Sequence, residues 1–254
     1  MFIEIQGIKV YFERQGAGAP VLLLHGWGAD TRAMEPIARC LAGMGREAIS
    51  LDFPGFGQSG LPSGPWGIPE YAAFTRAFME ALSLEGCDVV SHSFGGRVTI
   101  FLASETPKLF GRLVLVDAAG IKPRRGAGYY IRVYAYKAGK RLARISWLDR
   151  LFRITEKQKS AGSEEYRQLQ GDMRTTYVKV VNLDLSDRLP NIPNETLLIW
   201  GDQDTATPLW MGRKMEKEMP NAGLAVIPGA GHFSYADDYP RFCSILKILF
   251  SGEA

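Results

Sequence analysis

Apolar residues fall into short, β-branched runs separated by longer stretches in which they recur at helical spacing. Six runs have the length and content of buried strands: residues 21–24, 48–51, 87–90, 113–116, 196–200 and 224–227. A near-continuous apolar run is what a strand shows when both of its faces are covered. Between most of them lie helix-like patterns, at residues 32–44, 70–84, 96–104, 209–219 and 239–250. Strands alternating with helices predict an α/β fold, a mostly parallel central sheet with helices on both faces. The opening stretch, residues 2–14, alternates apolar and polar positions. It reads as an antiparallel ribbon on the sheet's edge and not as a signal peptide.

One segment breaks the alternation. Residues 121–189 contain no convincing strand and carry aromatic and basic residues at helical spacing. An inserted helical cap is expected there. The organisation is then residues 1–120 as the first part of the core, 121–190 as the cap and 191–254 as the second part. From Lys122 to Lys157 there are eleven basic residues against two acidic ones, Asp149 and Glu156, although the whole chain is only +3. Amphipathic helices with a solvated basic face account for this. The sharper alternative is a field that draws an anionic ester or an acidic lipid surface. Tyr129, Tyr130, Tyr134, Trp147 and Phe152 would supply the cap's apolar side.

Composition narrows the function classes. With 254 residues, 46% hydrophobic and 22% charged, the chain can bury one large core, and no apolar run is long enough to cross a bilayer. The small net charge gives no reason to expect nucleic acid. Cys40, Cys87 and Cys243 are too few and too scattered for a disulfide framework or a metal site, so a reducing, cytoplasmic location is expected. No phosphate-cradling glycine loop, metal cluster or flavin motif is present, so no cofactor is expected.

The chemistry concentrates at four loops. A strand-like run leads into Ser91-His92-Ser93-Phe94-Gly95-Gly96, and a helical pattern follows at once. A serine on such a strand-to-helix elbow is lifted clear of the sheet, and small residues two before and two after it permit the sharp turn. Ser93 is the candidate nucleophile. A serine hydroxyl needs a base to take its proton, and His232 in Gly229-Ala230-Gly231-His232 is the candidate. Asp204, in the loop after the strand at 196–200, is the candidate acid that orients it. Asp117, after the preceding strand, competes for that role, and Asp202 is a third choice. The candidate oxyanion-hole donors are the amides of Phe94, directly after the nucleophile, and Trp27, between Gly26 and Gly28. His25 and His92 are read as structural.

Together these motifs resemble the α/β-hydrolase-fold serine hydrolases, of the small, single-cap, carboxylesterase-like kind. The similarity includes an HG-x-G loop at His25 to Gly28 and a D-x-x-G-x-G-x-S turn from Asp52 to Ser59. An acid loop from Gly201 to Pro208 and the G-x-G-H loop ending at His232 complete it. It runs from about Val10 to Phe250 outside the cap. Ser91 departs from the family's usual glycine. The resemblance implies cleavage of a small or medium carboxylic ester through an acyl-enzyme, and it leaves the oligomeric state open. It also admits a carbon–carbon bond hydrolase of the ring-fission type, with Arg174 as the candidate grip on a substrate carboxylate. That group favours Trp after the base histidine, where this chain has Phe233. A perhydrolase side reaction, or a ligand-sensing protein with little turnover, uses the same scaffold.

Overall fold

The computed structural model describes residues 1–122, 128, 134, 169 and 171–250. Its centre is an eight-stranded sheet in the order β1-β2-β4-β3-β5-β6-β7-β8. The strands are β1 (Phe2–Ile5), β2 (Ile8–Gly16), β3 (Ala19–Leu24), β4 (Arg46–Leu51), β5 (Asp88–His92), β6 (Leu113–Val116), β7 (Thr196–Gly201) and β8 (Ala222–Ile227). The ribbon β1-β2 joins antiparallel to β4, and every pairing from β4 to β8 is parallel. Both the parallel core and the antiparallel edge match the expectation from the apolar pattern.

Strand residues alternate between two cores. Val21 and Leu23 of β3 enter one apolar cluster, and Leu22 and Leu24 enter the other, because successive side chains leave a strand on opposite faces. Helices α1 (Thr31–Ala42) and α7 (Tyr239–Phe250) cover the first face. The second is covered by α2 (Ile68–Ala81), α3 (Phe94–Glu105) and α5 (Trp210–Glu218). A single turn, α6 (Ser234–Asp237), precedes α7. The starts of these helices are legible locally. The Asp30 carboxylate accepts the Arg32 amide at 3.0 Å at the head of α1, and Glu70 reaches back to the Gly67 amide at 2.7 Å at the head of α2.

The parallel register brings the functional loops to one edge. Leu24 pairs with Ser91, His92 with Val116, and Val116 with Ile199, so the loops after β3, β5, β6 and β7 emerge side by side. That carboxyl edge is where ligands bind in open α/β sheets.

Of the expected cap, the described part is helix α4 (Gly171–Asn182) and the 3₁₀ turn Ser186–Asn191. The basic run from 123 to 157 and four of the five named aromatics lie outside the described residues; Tyr134 is exposed. Helix α4 lies against the loops beyond β3 and β4. Its Thr176 hydroxyl accepts the Trp66 amide at 2.9 Å, Lys179 Nζ donates to the Pro65 carbonyl at 2.7 Å, and the Tyr177 ring sits 5.3 Å from Trp27. Buried Arg97 of α3 ties down its far end by donating to the Leu183 carbonyl at 2.8 Å.

One expectation is corrected. Cys40 of α1 and Cys243 of α7 are joined as a disulfide with their Cα atoms 5.9 Å apart, and only Cys87, buried, is free. A separation of 203 residues hid the pair; neighbourhood of α1 and α7 on one sheet face creates it. In denatured, unreduced protein one cysteine should therefore alkylate, and reduction should lower stability by about 2–4 kcal/mol. Alkylation of all three cysteines without reductant would contradict the pairing.

Candidate active site

Ser93 sits between β5 and α3 with φ 49°, a left-handed conformation that costs a non-glycine residue about 1–3 kcal/mol. The surroundings enforce it. The Ser93 amide donates to the Val116 carbonyl at 3.1 Å, and its own carbonyl accepts from Gly96 at 3.0 Å and Ala119 at 2.9 Å. Close approach explains the glycines nearby. A Cβ on Gly95 would overlap the Leu24 carbonyl, and one on Gly96 would lie 2.6 Å from the Ala118 side chain. The departure at Ser91 has a consequence: its hydroxyl is buried and, among the described residues, lacks a hydrogen-bond partner.

The structure brings the three candidate triad residues together. The Ser93 hydroxyl lies 2.9 Å from His232 Nε2, and His232 Nδ1 lies 2.8 Å from Asp204 Oδ2. The other Asp204 oxygen accepts the amides of Ala206 and Thr207 at 2.7 and 2.9 Å. Thr207, a residue the sequence reading passed over, also donates its hydroxyl to Asp204 Oδ2 at 2.6 Å. Burial alone would push the Asp204 carboxyl up, but the bonds from His232 and Thr207 hold it below its ordinary value. An ionised carboxylate here fixes the proton on Nδ1 and leaves the Nε2 lone pair facing the serine.

Asp117 does not face the imidazole. Its Oδ1 accepts the Gly201 amide at 2.9 Å and its Oδ2 the Ser234 amide at 3.0 Å, so one carboxylate straps the acid loop to the base loop. Burial pushes Asp117 up to about 7. An acid raised in this way, from about 4 when unfolded, binds its proton more tightly in the native state. Its contribution to stability is present below pH ~4 and is lost as pH rises to ~7. The stability of the parent relative to Asp117→Asn should therefore decline between pH 5 and 8 in urea unfolding; a constant or rising difference would contradict the assignment. Asp202 turns away to the Gly229 amide, 2.8 Å from its Oδ1.

The loop after β3 lies against the elbow. A Cβ on Gly26 would come within 3.4 Å of the Ser93 Cβ, and the Gly95 amide donates to the His25 carbonyl at 3.1 Å. Among the described residues neither the Trp27 nor the Phe94 amide has a hydrogen-bond acceptor. Two such donors, with Phe94 at the positive start of α3, can stabilise negative charge. The rings of Trp27 and Phe94 meet edge to face at 5.4 Å, and Phe53, Phe56 and Tyr71 close around Phe94. His25 is structural, as read: its Nδ1 donates to the Gly26 carbonyl at 2.7 Å and its Nε2 accepts the Phe53 amide at 3.0 Å. Asp52 is likewise architectural, accepting the Thr31 and Gln58 amides at 2.6 and 2.8 Å. His92 does more than pack, because its Nε2 meets the His232 carbonyl at 2.7 Å.

This fold and arrangement are those of a known class, and the chain belongs to the alpha/beta hydrolase fold family, whose profile matches residues 19–239. It is 27% identical over 267 residues to the dihydrolipoyllysine-residue acetyltransferase component of the acetoin cleaving system of Cupriavidus necator, covering 99% of this chain and 69% of that protein. It is also 27% identical over 266 residues to a 2-hydroxymuconate semialdehyde hydrolase of Pseudomonas putida, covering 98% and 92%. In structure it resembles an esterase from Exiguobacterium antarcticum, with a TM-score of 0.76, 22% identity and 99% of each chain covered. Among the described residues no helix is long and apolar enough to cross a membrane, and no group of three or more His, Cys, Asp or Glu residues could hold a metal ion.

Proposed function

We propose that this hydrolase-family protein cleaves small or medium carboxylic esters through an acyl-enzyme on Ser93. The observation that carries the reading is the continuous relay Ser93 Oγ to His232 Nε2 at 2.9 Å and His232 Nδ1 to Asp204 Oδ2 at 2.8 Å. His232 takes the hydroxyl proton as Ser93 attacks the ester carbonyl. The oxygen that gains charge is held by the Trp27 and Phe94 amides; such a donor is worth about a hundred- to a thousandfold in rate. Collapse expels the alcohol with the proton from His232, and water deprotonated by the same imidazole releases the acid. The cap of residues 121–190 would close over this edge of the sheet and select the substrate, with α4 as its described base.

A second reading, carbon–carbon bond hydrolysis, is favoured by the likeness to the 2-hydroxymuconate semialdehyde hydrolase. It would use the same triad and needs a cation for the substrate carboxylate, for which Arg174 in the first turn of α4 is the candidate. Its weak point is Phe233 beside the base. The deciding experiment is a turnover screen over p-nitrophenyl esters of graded chain length and a ring-fission dienone, with fluorophosphonate labelling of Ser93 alongside. Turnover of the esters above the dienone supports the first reading. The reverse order supports the second, and labelling of Ser93 without turnover of either supports a ligand-sensing role.

A further inference from the structure

We propose that His92 is a positioning residue that holds the base loop in register with the nucleophile by donating its Nε2–H to the main-chain carbonyl of His232. This rests on the serine-hydrolase reading and adds to it the residue that fixes the distance between base and serine.

The geometry comes from three elements meeting at one ring. His92 is the last residue of β5, directly before Ser93, and is 2% exposed. Its Nε2 lies 2.7 Å from the His232 carbonyl oxygen. A carbonyl only accepts, so Nε2 must carry the proton and Nδ1 the lone pair. On the Nδ1 side the ring fills the place a side chain on Gly26 would need, since a Cβ there would fall 2.9 Å from Nδ1. Gly26 belongs to the proposed oxyanion loop. One imidazole thus packs on that loop, precedes the nucleophile and holds the base loop by its main chain.

The rings around it complete the seat. His232 lies 4.9 Å away, Phe233 5.1 Å and Tyr235 5.3 Å, centroid to centroid. Burial first, and then the neighbouring His232, hold the His92 imidazole down at about 3. It therefore stays neutral while His232 cycles through its cationic form, and it puts no second positive charge beside that cation. Asp117 holds the same loop two residues further on, at the Ser234 amide 3.0 Å away, and the bond from His92 adds a hold at the base residue itself, next to Phe233, which is 48% exposed. A misplacement of about 1 Å in a reacting pair costs roughly a hundredfold.

The test uses a near-isosteric pair, His92→Gln and His92→Met, in the full chain. Gln places an N–H at the reach of Nε2, and Met has similar bulk and flexibility with no donor. With an ester substrate, the Met variant should lose about ten- to a hundredfold in kcat with KM little changed, and the Gln variant should recover most of it. The far-downfield proton of His232 Nδ1–H, read by NMR, should persist in the parent and the Gln variant and broaden or vanish with Met. Equal kcat in the Gln and Met variants, or a Met variant as fast as the parent, overturns the proposal. If both variants are unfolded, His92→Phe, which keeps the ring, carries the test, and parental kcat there overturns it. Absence of fluorophosphonate labelling in the parent sinks the serine-hydrolase reading instead, a result separable from any ranking of the variants.

Discussion

Replacing Ser93 by Ala is expected to abolish ester turnover, lowering kcat by about a millionfold as loss of the nucleophile does in other triads, while the protein remains folded. The change removes one oxygen whose partner is His232, and an exchanged hydrogen bond of this kind contributes only about 0.5–1.5 kcal/mol. The packing that enforces the elbow is untouched, because it is made by the backbone of Ser93 and by Gly95 and Gly96. Ser93→Gly sharpens the test. Glycine is at ease at φ 49°, so this variant should be at least as stable as the Ala variant and equally inactive. Turnover within tenfold of the parent in either folded variant would remove Ser93 from the reaction.

The second large effect concerns the acid. Asp204→Asn should lower kcat by about ten-thousandfold, the loss known for the same change in a model triad, and the local bonding shows why. The amides of Ala206 and Thr207 both donate to Asp204 Oδ1. An asparagine must keep its carbonyl oxygen there, so its NH₂ points at His232 Nδ1. The imidazole then offers a lone pair at Nδ1 and carries its proton on Nε2, toward Ser93, where it cannot act as base. Asp117→Asn should cost far less activity. It loses one of two strap bonds, at Gly201 or Ser234, and its cost should show mainly as stability. Steady-state kinetics at matched folding decides, and a larger kcat loss at Asp117 than at Asp204 would reverse the assignment.

Much of this molecule is legible in the order of its residues. The buried runs and helix patterns place all the parallel strands to within a few residues, because a strand covered on both faces is mostly apolar, with only isolated polar residues such as Ser50, Ser91 and Thr196. The elbow and the acid and base loops are readable because each needs a small residue at a fixed offset from the reacting group. What escapes the sequence is contact made through the backbone or across long separations. His92 looked like packing because its partner is a carbonyl, which every residue has. Thr207 lay in the acid loop, unmarked by any pattern. Asp117 was visible as a carboxylate at a strand end, but its partners, two amides from distant loops, were not. The Cys40–Cys243 pair depended on two helices meeting on one sheet face, which local periodicity does not encode.

The placement of the proposed base has a consequence for how this protein would fail. His232 follows β8, the edge strand, which among the described residues pairs with β7 alone, whereas Ser93 follows β5 near the middle of the sheet and lies 139 residues earlier. Edges open before centres, so release of β8 with α7 would strip away the imidazole while most of the sheet still stood. Activity would then vanish at a lower denaturant concentration than bulk helicity, and the enzyme would be a sensor of its own C-terminal quarter. The disulfide that anchors α7 to α1 guards this weak margin, so oxidation state would set the gap between the two transitions.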